Sequence, residues 1–292
     1  MNTAIKGHML AAFTVLCWGT TFISTKILLQ DFTPIEILIS RFVIALTILY
    51  LIRPQQLKLK REEHRLYFVL AGLCGVTLYY LLENIALTYT YASNVGIIMA
   101  TSPFFAVILS SIVLRRRMLN GPFIIGFIIA MTGVVLLNIG DRSLDLPTIN
   151  PFGDILALSA AAVWAVYAVT LKKICTFDYD MIIVTREIFL YGVILMVPPL
   201  ILSGFNIDLI YAIEPINLAN LLFLGVCASA ICFITWNFAT KYLGVVKTTA
   251  YIYASPVVTV IAAFLILGEP LTFYTVAGIF LAVAGLIVSQ NG

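Results

Sequence analysis

Apolar runs of about 20 residues succeed one another along the whole sequence, and they restrict the fold more than any other feature. A helix of that length crosses a hydrocarbon core ~30 Å thick. The chain is 62% hydrophobic and 11% charged, whereas soluble domains are about 25% charged. A membrane β-barrel would instead alternate apolar and polar residues in segments of ~10. The sequence therefore predicts an all-α polytopic membrane protein.

Ten membrane-spanning helices joined by short links are predicted. The first apolar run is too long for a signal-peptide core and lacks a small-residue cleavage site, so we expect it to be retained. The predicted spans lie at roughly 8–30, 33–53, 66–89, 92–114, 120–139, 152–173, 181–203, 216–241, 245–267 and 272–290.

The 17 lysines and arginines predict the orientation of these spans. Cytoplasmic loops of membrane proteins are enriched in Lys and Arg, and with the N-terminus inside, most of the basic residues fall on the cytoplasmic side. We therefore expect both termini in the cytoplasm. Because the basic residues follow the sides of the membrane, the net charge of +3 does not indicate nucleic-acid binding. The residues on the cytoplasmic side are Lys6, Arg53, Lys58, Lys60, Arg61, Arg65, Arg115, Arg116, Arg117, Lys172, Lys173, Lys241 and Lys247.

The second half of the chain repeats the first. The frame Asn84-x-Ala86-x2-Tyr89, followed by Ser102-Pro103, returns as Asn237-x-Ala239-x2-Tyr242, followed by Ser255-Pro256. Trp18 pairs with Trp164, and Arg41 pairs with Arg186. We therefore expect a first five-helix repeat at 1–140, an external linker at 141–151 and a second repeat at 152–292.

The odd number of helices in each repeat has a functional consequence. A second copy of a five-helix unit enters the membrane upside down, and inverted repeats are the architecture of many secondary transporters. The sequence thus predicts two inverted repeats around a shared central cavity, working by alternating access. The alternative is a duplicated membrane scaffold without transport.

Two of the charged residues that interrupt the predicted spans lie at similar depth. The five residues in question are Lys26, Arg41, Glu83, Arg186 and Glu187. Arg41 is about eight residues below the outer end of its helix and Glu83 about six, so their depths agree within a few Å. A charge in hydrocarbon costs about 2.5–3.5 kcal/mol on insertion scales and normally finds a partner. We expect an ion pair between them. It would act as a structural clamp, or Glu83 would serve as a substrate or proton site.

Glu83 has aromatic neighbours on its helix. Tyr79 and Tyr80 precede it at i−4 and i−3 and share its face, while Trp236 takes its place in the second half, beside Asn237. Aromatic rings suit flat apolar groups by stacking and organic cations by cation–π attraction. Tyrosine and tryptophan are also common anchors at the membrane interface.

Two prolines lie near the middles of the predicted fourth and ninth spans. Pro103 and Pro256 each remove a backbone hydrogen bond and free the carbonyls of Met99 and Ile252. A freed carbonyl must meet protein or cavity water. We expect a hinge or bend around the cavity, and simple tolerated kinks are the alternative.

The chain resembles the drug/metabolite transporter superfamily in its EamA-type, ten-helix branch, over its whole length. The residues that carry the resemblance are the duplicated unit, Trp18-Gly19 with Thr20 and Thr21, Arg41-Phe42, Asn84-x-Ala86-Leu87, the two Ser-Pro pairs, and Gly268-Glu269-Pro270-Leu271. The family pattern has a Gly-Glu turn after the fourth helix as well, where this chain reads Leu114-Arg115-Arg116-Arg117. This departure weakens any role that the two turns would share.

The resemblance implies a basket of ten helices whose first, third, fourth, sixth, eighth and ninth members line a central cavity. The residues expected to bind substrate or line the cavity are Trp18, Thr21, Tyr79, Tyr80, Glu83, Asn84, Met99, Trp164, Tyr167, Trp236, Asn237 and Tyr253. The fifth and tenth helices would pack together at one side.

Small residues support that last point from the sequence alone. Each helix carries a triplet at i, i+4 and i+7, a spacing that lets helix backbones approach closely in lipid. A homodimer seam is the alternative, but we expect a monomer. The triplets are Gly126, Ala130 and Gly133, and Gly278, Ala282 and Gly285.

The leading functional prediction is a secondary transporter of small organic metabolites in a bacterial-type inner membrane. The family resemblance implies export with amino acids as frequent substrates, and the aromatic residues favour hydrophobic or aromatic amino acids. The alternative is a proton-coupled multidrug or organic-cation antiporter that uses Glu83. A channel or a membrane enzyme is less favoured, because the sequence has no filter-like loop, nucleophile–histidine pair or phosphate loop. We expect no cofactor and no metal, with the five cysteines serving as small packing residues.

Overall fold

The computed structural model describes residues 3–114, 121–143, 151–203, 209–243, 248 and 250–290, and over these residues it consists of helices and their links. A single helical turn, Leu209–Ile213, precedes α8, and a 3₁₀ turn, Ala250–Ala254, precedes α9. The helices are α1 (Thr3–Leu28), α2 (Pro34–Ile52), α3 (His64–Tyr89), α4 (Ala92–Met99 and Ser102–Leu114), α5 (Gly121–Ser143), α6 (Pro151–Cys175), α7 (Met181–Leu202), α8 (Pro215–Ala239, with its last turn ending at Leu243), α9 (Ser255–Leu267) and α10 (Phe273–Gln290).

Within these ranges, seven helices are long and apolar enough to cross a membrane: α1, α2, α3, α4, α6, α7 and α8. Helices α5, α9 and α10 carry shorter apolar segments, Gly121–Leu136, Ser255–Leu267 and Phe273–Ser289. The all-α, multi-pass membrane protein predicted from the sequence is confirmed. The first helix begins at Thr3, five residues before the predicted residue 8.

Large apolar side chains cover much of the surface. Leu51, Leu202 and Phe273 are 78%, 88% and 81% exposed, and soluble monomers rarely expose apolar patches of such extent. In a membrane protein, exposed apolar side chains are not penalised where they meet lipid, because lipid tails are as apolar as the side chains themselves.

Helices α5 and α10 lie against each other through the two predicted small-residue triplets. A Cβ added at Gly126 would fall on the carbonyl oxygen of Gly285, and one added at Gly285 would fall on that of Gly126. Further along, a Cβ at Gly133 would come within 2.9 Å of the Gly278 carbonyl oxygen. Since the triplets meet within one chain, they are not free to form the alternative homodimer seam.

Two ionisable side chains hold the corner between α3 and α4. Lys26 on α1 donates to the carbonyl oxygens of Leu87, at 2.8 Å, and of Thr90. Glu269 accepts hydrogen bonds from the amides of Ala92 and Ser93 at 2.8 and 3.1 Å. A cation thus lies at the carbonyl end of α3 and an anion at the amide end of α4, as the helix dipoles favour.

The Gly-Glu turn after α9 delivers this carboxylate. Gly268 ends α9 in the left-handed conformation, with φ +66°, which glycine adopts without a steric penalty. The next residue, Glu269, is then buried at 6% exposure and also accepts from the Ser93 hydroxyl at 2.6 Å. This turn ties the second half of the chain to the first.

Helices α3 and α8 each contain a wide turn of π-helix. It spans Leu73–Leu78 in α3 and Phe223–Ile231 in α8. A glycine lies at a close helix crossing at each turn, since Gly72 directly precedes the α3 turn and Gly225 lies within the α8 turn. A Cβ at Gly72 would meet the Gly192 amide of α7 at 2.7 Å, and one at Gly225 would meet Ile44 of α2 at 2.7 Å.

The α5–α10 contact predicts a selective effect of side-chain size. Gly126→Leu should lower stability by about 1–3 kcal/mol or more, because the added side chain would force two backbones apart. Gly121→Leu is the matched control, since a Cβ there meets nothing within 4 Å. Thermal unfolding in detergent measures both variants, and equal melting temperatures would contradict this packing.

The α3–α4 corner predicts a second effect. Glu269→Gln should lower stability by about 1–3 kcal/mol, because it weakens charge-assisted hydrogen bonds to two buried amides. Glu214→Gln is the control, because Glu214 is an exposed residue at the start of α8 without a side-chain cap bond. The two variants should differ in melting temperature, and an unchanged Glu269→Gln protein would refute the capping role.

Candidate functional site

A cavity of about 100 Å³ lies between α1, α2, α3, α4, α6 and α9. Sites that enclose drug-sized ligands measure ~300–1,000 Å³, so this conformation has room for a small group only. The cavity is lined by Val15, Trp18, Thr21, Phe22, Arg41, Tyr79, Tyr80, Glu83, Gly96, Met99, Ala100, Ser102, Trp164, Ile252, Ser255 and Pro256.

Glu83 brings a carboxyl group to the cavity wall. The residue is 1% exposed, and its Oε1 has no hydrogen-bond partner within the described part of the chain. Tyr79, one turn earlier on α3, lies beside this carboxyl group and interacts with it electrostatically. A buried polar atom without a partner is costly. Its presence in a cavity wall points to a partner from outside the protein.

Arg41 supplies the opposite charge from α2. It is 2% exposed, its Nε donates to the Ser229 hydroxyl at 2.7 Å, and its guanidinium lies 4.3 Å from the centre of the Tyr80 ring. Cation–π attraction of this kind strengthens when the cation is desolvated.

The direct ion pair expected between Arg41 and Glu83 is not formed. No salt bridge joins the two described side chains, although both line the cavity and their charges interact at longer range. The guanidinium is instead held by Ser229 and Tyr80. The cavity therefore carries a cation and a carboxyl group that do not neutralise each other by contact.

Aromatic rings form the remaining side of the site. Trp164 of α6 lies 4.7 Å from Tyr79 and 4.8 Å from Tyr167 between ring centres. Trp18 of α1 lies 5.2 Å from Trp236, and its indole N–H donates to the Ala228 carbonyl at 3.0 Å. These contacts fix both cavity tryptophans against α3 and α8, so the wall presents rigid ring faces.

Glycines let the surrounding helices approach this closely. A Cβ at Gly96 would meet Thr259 at 2.6 Å, and one at Gly19 would meet Val258 at 2.7 Å. The Thr259 hydroxyl also donates to the Gly19 carbonyl at 2.8 Å. Helices α1, α4 and α9 are thereby held together beside the cavity.

The two prolines begin new helical segments and do not kink continuous ones. Pro103 is the second residue of Ser102–Leu114, and Pro256 the second of Ser255–Ala262. Proline is well tolerated in a first helical turn, where its missing N–H has no partner to lose. Both breaks lie at the cavity, which Ser102, Ser255 and Pro256 line.

The structure brings together seven of the twelve residues expected at the cavity. These are Trp18, Thr21, Tyr79, Tyr80, Glu83, Met99 and Trp164.

Four of the expected residues lie behind the wall or away from it. Asn84 donates to the Pro34 carbonyl at 3.1 Å and so ties α3 to the start of α2. Tyr167 is packed over Gly75 behind Trp164, and Trp236 backs Trp18. Asn237 is half-buried outside the lining. The side chain of Tyr253 lies outside the described part of the structure.

Several residues of the cavity wall were not predicted from the sequence. Val15 and Phe22 are ordinary apolar residues of an apolar helix, and Gly96 and Ala100 carry no chemical signal. For Val15 and Phe22, helical spacing is the one available signal, since Val15, Trp18 and Phe22 follow one another at i, i+3 and i+7 on one face of α1.

Comparisons with known proteins identify relatives over nearly the whole chain. A chain from Archaeoglobus fulgidus described as an uncharacterized transporter is 30% identical over 287 residues, covering 97% of each chain. A "Probable terminal-alkyne amino-acid exporter" of Streptantibioticus cattleyicolor is 26% identical over 279 residues, covering 94% of this chain and 90% of that protein. One solved crystal structure superposes with a TM-score of 0.68 at 20% identity, covering 98% of this chain and 97% of the other, and so shares its fold.

The sequence profile described as the EamA-like transporter family matches residues 5–139 and again residues 151–290. Together these two matches take in nearly the whole chain. The protein therefore belongs to the EamA-like transporter family.

Proposed function

We propose that this membrane transporter is a secondary carrier that exports amino acids with apolar side chains by alternating access. One observation carries the proposal: a single cavity is lined by a buried guanidinium, a buried carboxyl group with an unpartnered oxygen, and aromatic rings. An amino acid has complementary groups for all three surfaces.

The two charges suit the two ends of a zwitterion. The Arg41 guanidinium has donors to offer a substrate carboxylate, as Arg commonly does in planar recognition. The unpartnered Oε1 of Glu83 can accept from a substrate ammonium group. Because Arg41 and Glu83 are not bonded to each other, no ion pair between them has to break before the substrate enters.

The aromatic wall and the small volume define the rest of the substrate. Tyr79 and Trp164 offer ring faces to an apolar side chain. A cavity of about 100 Å³ must widen to admit most amino acids, and such widening is expected of a carrier whose site alternates between two faces of the membrane.

Two inverted five-helix repeats, 1–140 and 152–292, would give this carrier its two states. The family profile matches the chain twice. The wide turns of α3 and α8 recur at corresponding places, and so do the glycines at these turns, Gly72 and Gly225. These correspondences support the repeat.

The full topology proposed is ten spans with both termini in the cytoplasm of a cell with a bacterial-type inner membrane. The distribution of Lys and Arg supports that orientation. The intramolecular α5–α10 contact supports a monomer. The exporter name of the Streptantibioticus relative supports the direction and the substrate class.

A proton-coupled organic-cation antiporter is the second candidate. The unpartnered Glu83 oxygen and the aromatic wall favour it, since a carboxylate that releases a proton could take up a cation. Under this alternative Arg41 would have no substrate group to bind.

Chemically matched ligands separate the two candidates. Leucine offers both charges, leucinamide only the cation and N-acetylleucine only the carboxylate. For an amino-acid carrier we expect leucine to stabilise the purified protein against heat and to bind roughly 10–100-fold more tightly than either analogue, because each analogue leaves one buried charge unpaired. Binding of leucinamide as tight as that of leucine would instead support the antiporter.

Glu83→Gln tests the role of the carboxylate directly. In liposomes, counterflow of labelled leucine should fall about tenfold or more at low substrate, since a neutral amide binds an ammonium group weakly. Glu187→Gln is the control, because Glu187 pairs with Arg186 and lies outside the cavity. Unchanged counterflow and pH dependence in Glu83→Gln would eliminate both candidate roles of Glu83.

A further inference from the structure

Three cysteines from two helices meet beside the cavity. Cys17 lies on α1, and Cys227 and Cys232 lie on α8, with the three sulfur atoms all within 4.8 Å of one another. The sulfurs of Cys17 and Cys227 are 3.6 Å apart. The other two cysteines, Cys74 and Cys175, do not belong to this cluster.

The wide turn of α8 assembles the cluster. In a regular α-helix, residues five apart point about 140° away from each other. The π-helix Phe223–Ile231 takes i→i+5 hydrogen bonds, and the amide of Cys232 donates to the carbonyl of Cys227. This turn brings both α8 thiols to the face that meets Cys17. Wide turns of this kind are frequent at functional sites.

We propose that the three thiols bind one soft monovalent metal ion of the Cu(I) class. A metal held by three thiolates at ~2.3 Å places the sulfurs about 4 Å apart, a separation close to that of the cluster. Thiolates select soft ions over Mg²⁺, Ca²⁺ or Mn²⁺. Structural zinc requires four ligands, and no further Cys, His, Asp or Glu of the described residues joins this group. Binding releases the thiol protons to solvent, as thiolate ligation requires.

The position of the site gives the ion a conformational effect. Cys17 precedes the cavity residue Trp18, whose indole N–H already bonds to Ala228 of α8. A bound ion would cross-link α1 to α8 next to this contact. The site would therefore hold one arrangement of the two helices, independently of the substrate that the carrier moves.

Purified protein under anaerobic conditions, titrated with Cu(I) against a colorimetric Cu(I) chelator, tests the site. We expect one tightly bound Cu(I) per chain in the wild type and in the Cys74→Ser/Cys175→Ser control. Affinity should fall at least tenfold in Cys227→Ser and in Cys232→Ser. Equal affinity in the wild type and a Cys17→Ser/Cys227→Ser/Cys232→Ser variant would overturn the proposal.

A second measurement needs no variant and so does not depend on how the variants fold. One equivalent of Ag(I), a redox-inert analogue, should protect Cys17 and Cys227 from alkylation by N-ethylmaleimide, as read by mass spectrometry. The exposed Cys175 should remain reactive in the same sample. Protection of Cys175 in place of Cys17, or no protection of any cysteine, would refute the site.

Discussion

Every backbone N–H and C=O group at membrane depth must be satisfied within the protein, and the architecture around the cavity depends on this constraint. At the buried corner where α3 ends and α4 begins, the last carbonyls of one helix and the first amides of the next have no partners within their own helices. Lys26 donates hydrogen bonds to the carbonyl oxygens at this corner, and Glu269 accepts hydrogen bonds from the amides. Because Lys26 comes from α1 and Glu269 follows α9, the same bonds gather four helices around the cavity.

Irregular backbone lies beside the cavity and its adjoining helix contacts. The Ser-Pro breaks of α4 and α9 line the cavity itself, and the wide turn of α8 contributes Ser229, which holds Arg41. Non-helical backbone at membrane depth is tolerated where it is buried in protein or faces a water-filled cavity. These departures from the regular helix therefore position polar groups that a uniform α-helix would place elsewhere.

The family resemblance implies the cavity that Trp18 and Trp164 line. Residue periodicity predicts the helices and the shared face of Tyr79, Tyr80 and Glu83 on α3, since long apolar runs and their polar interruptions are local signals. It does not predict the wide turns, because a 3.6-residue period assumes one backbone geometry. For that reason the meeting of Cys227 with Cys232 could not be foreseen. Asn84 and Trp236 were expected at the cavity because their positions are repeated or adjoin repeated ones. Their actual partners, Pro34 and Trp18, lie on other helices, and spacing along one helix does not reveal such partners.

The asymmetry between the halves carries more functional meaning than their likeness. In the proposed inverted repeat, a symmetric scaffold would offer the same groups to both faces of the membrane. Here Glu83 is matched by Trp236, which lies against Trp18 behind the wall, so the carboxyl group belongs to one half only. Arg186, the counterpart of Arg41, is bound to Glu187 and to the carbonyl of Arg53. One half therefore neutralises its buried arginine locally, whereas the other leaves its arginine and glutamate facing the same cavity without a bond between them. A costly pair of buried charges persists in the half where a ligand can reach both members.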